Sequence, residues 1–171
     1  MARPKSGTGK GARERIIEAY GELAMQKPLG GITVLDVCRE AGCNRTTLYY
    51  HFETFDQVKR TFLDGLFQLP PEGCIDVLLG KAPSAAQLAS FDVLCTMLAL
   101  NPAGDFRERM HDAVAQHARE IFAGTGTVGV QLDLKSELVA SGTLAVMAQR
   151  GKTGNRIDPR ELTQALSCML N

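Results

Sequence analysis

Residues 33–52, TVLDVCREAGCNRTTLYYHF, concentrate the side chains best suited to reading another macromolecule. Arg45, Thr46, Tyr49 and Tyr50 bring a guanidinium, a hydroxyl and two phenols close together in the chain. Groups of these types hydrogen-bond base edges and phosphate oxygens. Successive residues of a helix turn by about 100°. Leu48 and Phe52 therefore share one face, and Arg45, Thr46, Tyr49 and Tyr50 take the arc roughly opposite. A short helix with an apolar back and a donor-rich front is what reading the major groove and anchoring phosphates require.

The elements that must hold this helix are legible in the same stretch. Thr33 is placed to N-cap a first helix, with Asp36 three residues on completing a Thr-x-x-acid box. Val34, Val37, Cys38 and Ala41 fall at i, i+3, i+4 and i+7, a single apolar stripe. Gly42 is free to adopt the left-handed conformation that stops a helix. Asn44 caps the next helix at once. The spacing predicts helix, tight turn, helix, the arrangement of a DNA-reading helix-turn-helix.

The run AGCNRTTLYYHF resembles the signature of the TetR family of bacterial transcriptional regulators. The flanks agree. RERIIEAYGELAMQKPLGGITVLDVCREAG is similar to that family's first helix, Gly-containing loop and second helix, and FDQVKRTFLDGL to the start of the long helix that follows. The resemblance covers about residues 11–67. It implies an all-α fold: an N-terminal three-helix DNA-binding unit with a helix-turn-helix over residues 1–55, then a helical ligand-binding and dimerisation bundle over 56–171. It further implies a symmetric homodimer on palindromic double-stranded DNA, acting as a repressor that a small-molecule effector releases. By the same resemblance Asn44, Arg45, Thr46, Thr47, Tyr49, Tyr50 and His51 occupy recognition positions, and Thr33 the cap that touches phosphate. One departure is Phe55, where the family often carries a Lys at the start of the fourth helix. Lys59 or Arg60, one turn later, is the candidate replacement. The C-terminal part is also short for the family.

Bulk properties are compatible with that reading. The net charge is zero, which argues against a generally sticky nucleic-acid binder. The distribution is uneven: residues 1–60 hold ten Lys/Arg and seven Asp/Glu, residues 61–171 nine and twelve. Arg3, Lys5, Lys10, Arg13 and Arg15 make the first fifteen residues a basic tail, able to reach phosphates or a minor groove. The N-terminus has no apolar signal-peptide core, and no apolar run approaches the roughly 20 residues of a membrane span. A cytoplasmic protein without membrane contact is expected. Five scattered cysteines with no Cys-x-x-Cys fit reduced thiols. Cys38 and Cys43 sit at apolar positions and read as space-fillers. Cys74, Cys95, His111 and His117 match no metal-ligand spacing, so neither metal nor cofactor is expected.

Two Gly-Lys pairs imitate phosphate loops. Gly9-Lys10 has Pro4, and Gly151-Lys152 has Val146, where a P-loop requires Gly. Both read as flexible or basic segments. No nucleophile–base set is apparent, and His111 and His117, six apart, do not share a helix face. An enzyme is not expected.

Turn-forming breaks divide the rest into helices. The first is predicted over about Ala12–Gln26, with Ile16, Tyr20, Leu23 and Ala24 inward. A fourth opens at Thr54, boxed by Gln57, with Val58, Phe62, Leu66 and Leu69 inward until Pro70-Pro71. A short helix is expected near Ile75–Leu79. Ser84 caps one running to about Leu100 that is apolar nearly all round. The next spans about Asp105–Ala123, with Phe106, Met110, Ala113, His117 and Ile121 inward. The last two are expected at about Asp133–Gln149 and, from an Asp158-Pro159 start, to the C-terminus. Phe91, Met97, Phe106, Met110 and Met147 are candidate lining for an effector pocket, although such residues at helical spacing also serve as plain core. Leu138, Ser141, Gly142 and Ala145 on one helix, and Leu162, Ala165, Leu166 and Met169 on the other, are the candidate dimer interface. The rival reading keeps DNA binding, drops the small molecule, and has the C-terminal domain bind another protein.

Overall fold

The computed structural model describes residues 10–67 and 85–154, with only the backbone described at 85–88. Seven α-helices and one 3-10 turn, with no strand, are found among the described residues. The helices are α1 (Ala12–Ala24), α2 (Val34–Glu40), α3 (Arg45–His51), α4 (Phe55–Phe67), α5 (Ala85–Leu100), α6 (Asp105–Gly124) and α7 (Val130–Thr153). The chain forms two compact units, Met1–Gln68 and Leu69–Asn171. The expected helices near Ile75–Leu79 and after Asp158, the caps Ser84 and Asp158, and the tail before Lys10 lie outside the described residues.

In the first unit α2, α3 and α4 all pack on α1. The inward face of α1 is Ile16, Ala19, Tyr20, Leu23 and Ala24, every one buried. Tyr20 sets the position of α4. Its ring lies 6.0 Å from Phe55 and 5.4 Å from Phe62, edge-on and tilted, geometries that aromatic pairs prefer. Burial, with Asp56 adding to it, pushes the Tyr20 hydroxyl up to about 12. The inward stripe of α4 differs from expectation. Val58 and Leu63 are its buried residues, while Phe62 and Leu66 are half-buried and Leu69 is outside the described residues. Phe62 packs laterally against the Gly21 side of α1, where an added Cβ would sit 3.0 Å from the ring.

The start of α4 also departs in detail from the expected box. Thr54 Oγ1 accepts from the Gln57 backbone N–H at 3.2 Å, but the Gln57 side chain accepts from Glu53 N–H at 2.8 Å, one residue ahead of the cap.

In the second unit α7 packs against both α5 and α6. Small residues on α7 permit this: Ser136, Ala140 and Thr143 are buried alongside Leu144 and Met147. Ser136 returns its hydroxyl hydrogen to Leu132 O at 2.7 Å, so its burial leaves no polar atom orphaned. The helix begins at Val130, not Asp133. Gly129, at φ 64°, makes a turn that residues with a Cβ rarely allow, and the exposed Val130 and Leu134 gave no inward stripe by which to recognise the first turn. The stripe on α6 is likewise rotated from expectation. Phe106, Met110, Val114 and Ala118 are buried, Ala113 and His117 are half-buried, and Ile121 is exposed. Asn101 ends α5 from inside the core, its Nδ2 donating to Met97 O at 2.8 Å.

Gly151 fixes how closely α5 and α7 meet. A Cβ there would lie 2.0 Å from the Cys95 carbonyl oxygen and 2.8 Å from Ala99 Cβ. Gly151-Lys152 is thus a helix-crossing element rather than a loop that could cradle phosphate. Gly151→Ala must force the two backbones apart and is expected to cost about 1–3 kcal/mol or more. Gly65→Ala, in open space on α4, should instead gain roughly 0.5–1 kcal/mol through helix propensity. Chemical denaturation of the two variants checks both signs, and a Gly151→Ala protein as stable as wild type contradicts the close crossing.

Candidate nucleic-acid interface

The helix-turn-helix is built by local chemistry, end to end. Thr33 Oγ1 accepts from the Asp36 backbone N–H at 3.3 Å, and Asp36 Oδ2 accepts from Thr33 N–H at 3.0 Å, a closed capping box. Lys27, from the preceding loop, reaches the same carboxylate at 2.6 Å. At the far end Gly42 takes φ 62°. Its N–H donates to Arg39 O at 3.4 Å, and Cys43 N–H to Cys38 O at 3.0 Å, the paired bonds of a Schellman stop. Asn44 then caps α3, its Oδ1 accepting from both the backbone N–H and the hydroxyl of Thr47, at 2.8 and 3.0 Å.

The two faces of α3 separate as its spacing requires. Leu48 and Phe52 are fully buried, and Tyr50 is 85% exposed. Arg45, Thr46 and Tyr49 are exposed too, and none of their side chains has a hydrogen-bond partner among the described residues. Their donors are therefore uncommitted within that part of the chain. His51 is half-buried and meets the Tyr50 ring edge-on, 5.1 Å between centroids. Arg13, on α1, lies over the Phe52 ring at 5.2 Å, which places a guanidinium at the C-terminal end of α3.

Other residues implied by the resemblance are differently engaged. Thr33 donates its hydroxyl hydrogen to Asp36 at 2.8 Å, and Thr47 donates its own to Asn44. Lys59 is half-buried and interacts within the protein, while Arg60 pairs with Asp56 at 2.9 Å. Phe55, the departure from the family pattern, serves the Tyr20 cluster. At the base of the tail, Lys10 pairs with Glu18, and Arg15 donates to Lys10 O at 3.2 Å.

The second-unit candidates separate into core and surface. Phe91, Met97, Phe106, Met110 and Met147 are all buried at 2% exposure or less. An open cleft of about 270 Å³ between α5 and α7 is lined by Asp92, Cys95, Thr96, Arg150, Gly151 and Gly154. Arg150 spans it, its Nε donating to Asp92 Oδ1 at 3.0 Å and its guanidinium lying over Phe91. Leu138, Ser141 and Ala145 are exposed and Gly142 half-exposed. Leu162, Ala165, Leu166 and Met169 lie outside the described residues.

A contact between helices that helix spacing alone could not reveal sits near Ser141. His111 Nε2 is 3.3 Å from both Ser141 Oγ and Glu137 Oε2. A nucleophile–base relay needs the carboxylate on the other ring nitrogen, and Asp112 stands 3.8 Å from Nδ1, beyond hydrogen-bond reach. Among the described residues no group of three or more His, Cys, Asp or Glu could hold a metal, and no helix is long and apolar enough to cross a membrane.

Lys27 is not legible as a site residue in the sequence, and Arg13 is legible there only as part of the basic tail, not as a neighbour of α3. Neither belongs to a periodic pattern, and only the folded loop and the α1–α3 packing bring them in. The Lys27 ammonium and the Thr33 bonds hold the Asp36 carboxyl well below its usual value of 3.8. A depressed carboxylate contributes stability that is fully present above its unfolded-state pKa and is lost as pH falls through the folded-state value. Wild-type stability should therefore decline more steeply below about pH 4 than that of Asp36→Asn. Denaturation at a series of acidic pH values measures this; parallel curves for the two proteins would show that the box contributes nothing.

No protein-family model matches the sequence, and no curated protein matches it. Solved structures do. The chain is similar to the dihydroxyacetone kinase operon activator DhaS, at 13% identity and TM-score 0.58, over 93% of each chain. It is similar to a transcriptional regulator from Rhodococcus sp. Rha1, at 19% identity and TM-score 0.57, over 92% of this chain and 93% of that one. It is also similar to NalD, the secondary repressor of the MexAB-OprM multidrug efflux pump in Pseudomonas aeruginosa, at 18% identity and TM-score 0.53, over 91% and 92%. The chain therefore has the all-α fold of the TetR-type transcriptional regulators.

Proposed function

We propose that this chain is a sequence-specific DNA-binding transcriptional regulator, a homodimer on a palindromic site that represses until a small-molecule effector releases it. The observation that carries the reading is α3. Its back is locked by Leu48 and Phe52, while Arg45, Thr46, Tyr49 and Tyr50 stand outward, the first three with uncommitted side-chain donors. A rigid helix with that front can place side chains against base edges. Arg45 and Thr46 are at its N-terminal turn, the part of a recognition helix that faces the bases. Arg13 adds a charge beside the same helix, for phosphate. Similar structures described as an activator and as a repressor support transcriptional control as the role.

Effector binding is a proposal of a different kind. Phe91, Met97, Phe106, Met110 and Met147 already fill the core, so a ligand among them must displace packed side chains. The cleft bridged by Arg150 and Asp92 is the ready volume beside them. It lies near the small end of ligand pockets, about 300–1,000 Å³, and its charged lining suits a small polar molecule.

Dimerisation is favoured by the outward face of α7. Leu134, Leu138, Ser141 and Ala145 recur at i, i+4, i+7 and i+11, with Leu134 and Leu138 both more than half exposed. An apolar stripe with small residues suits a self-complementary two-fold contact.

The test of DNA reading is selection of binding sites from a random duplex library with wild-type protein, followed by titration of variants on the selected duplex. Arg45→Ala and Tyr49→Ala should each lose about 1–3 kcal/mol of affinity while remaining folded. Unchanged binding in both would remove α3 from the role. Separately, Leu138→Glu with Ala145→Glu should yield a monomer by light scattering and lose binding to the paired half-sites, whereas a doubly substituted protein that stays dimeric places the interface elsewhere.

A further inference from the structure

The Schellman stop between α2 and α3 has an unusual pair of side chains. In this motif the residue three from the helix end and the second residue past its cap make the side-chain contact that seals the turn, normally between two hydrophobes. Here those positions are Cys38 and Cys43. Both bonds of the motif are present, Gly42 N–H to Arg39 O and Cys43 N–H to Cys38 O at 3.0 Å. With standard bond lengths, that last bond limits the two Cα atoms to about 7 Å apart. Disulfide-bridged residues have Cα separations of about 4.4–6.8 Å, and a third atom between the sulfurs extends the reach. Both thiols are free. Cys38 is buried and Cys43 half-buried, so Cys43 is the more accessible residue of the two.

We infer that Cys38 and Cys43 form a dithiol site for a trivalent arsenical, closed across the turn of the helix-turn-helix. The chemistry suits protonated thiols. An arsonous acid, R–As(OH)2, forms two As–S bonds and breaks two As–O bonds, and each departing hydroxyl leaves as water with one thiol proton. Arsenic stays trivalent, no electrons are transferred, and no oxidant is needed. Burial, with the Cys38 thiol adding to it, pushes the Cys43 thiol up to about 11. Thiolate is then scarce at neutral pH, and oxidation by peroxide, which requires thiolate, is slow. Condensation with loss of water leaves neutral sulfur in the half-buried turn, which an apolar setting favours. Soft sulfur ligands also prefer soft, thiophilic partners. The two cysteines thus do more than fill space.

The experiment uses the full chain with hydrated phenylarsine oxide as probe, followed by excess glutathione and intact-mass spectrometry. A chelate formed by two thiols on one scaffold should resist a monothiol roughly 100-fold better than a single As–S bond. The wild type and Cys95→Ala are expected to retain one adduct through glutathione and release it to dithiothreitol. Cys38→Ala and Cys43→Ala, checked for folding by circular dichroism, should each lose the glutathione-resistant adduct. A second reading comes from thermal unfolding, where the adduct should raise the midpoint of wild type and leave both alanine variants unmoved. A resistant adduct that persists in either alanine variant, or no resistant adduct in wild type, overturns the assignment.

Discussion

The apolar face of α1 is the constraint on which the first unit depends. Seven-residue helices such as α2 and α3 are too short to persist alone in water. They exist because Ile16, Ala19, Tyr20, Leu23 and Ala24 give them one surface to bury against. Leu48 and Phe52 spend the back of α3 on that contact, and only then does its front acquire a fixed direction. The aromatic contacts of Tyr20 with Phe55 and Phe62 tie α4 to the same surface. Phe55, half-buried, belongs to that aromatic cluster.

Caps convert that packing into a defined geometry. Thr33, Asp36 and Lys27 form one hydrogen-bonded and ionic cluster that begins α2. Gly42 and Asn44 end one helix and begin the next within three residues, so little backbone freedom remains between them. Hydroxyls used for these tasks, those of Thr33 and Thr47, are not equivalent to the open donors of Arg45, Thr46 and Tyr49. The set of uncommitted donors on α3 is consequently narrower than a list of polar residues in the motif suggests. In the second unit small side chains play the corresponding role. Gly151 and the buried Ser136, Ala140 and Thr143 let α7 lie close to its neighbours and leave Leu134 and Leu138 facing outward.

Features set by neighbours in the chain were legible in the sequence. The box at Thr33, the left-handed Gly42, the cap at Asn44 and the inward Leu48 and Phe52 all depend on residues within about one turn, and each is present. The all-α fold was legible from the resemblance and from helical spacing divided by turn-forming breaks. Features set by distant residues were not legible. Leu63 is buried in α4, and nothing in the local periodicity separates it from Phe62 or Leu66. On α6 Val114 and Ala118 are inward where Ile121 was expected, because the packing of α7 decides which apolar residue is covered. The start of α7 is not legible because Val130 and, one turn on, Leu134 are both exposed. Lys27, Arg13 and the His111–Ser141–Glu137 contact arise only when segments meet.

The central claim is that the outward face of α3 lies in the major groove of duplex DNA. Methylation interference at guanine N7, on a duplex selected by the protein, probes that groove directly. The account predicts two symmetric clusters of interfering guanines, separated by about one helical turn of DNA or a multiple of it, with the effect at one position in each cluster lost in Arg45→Ala. A selected duplex whose guanine methylation has no effect on binding, or a pattern identical in wild type and Arg45→Ala, would contradict it.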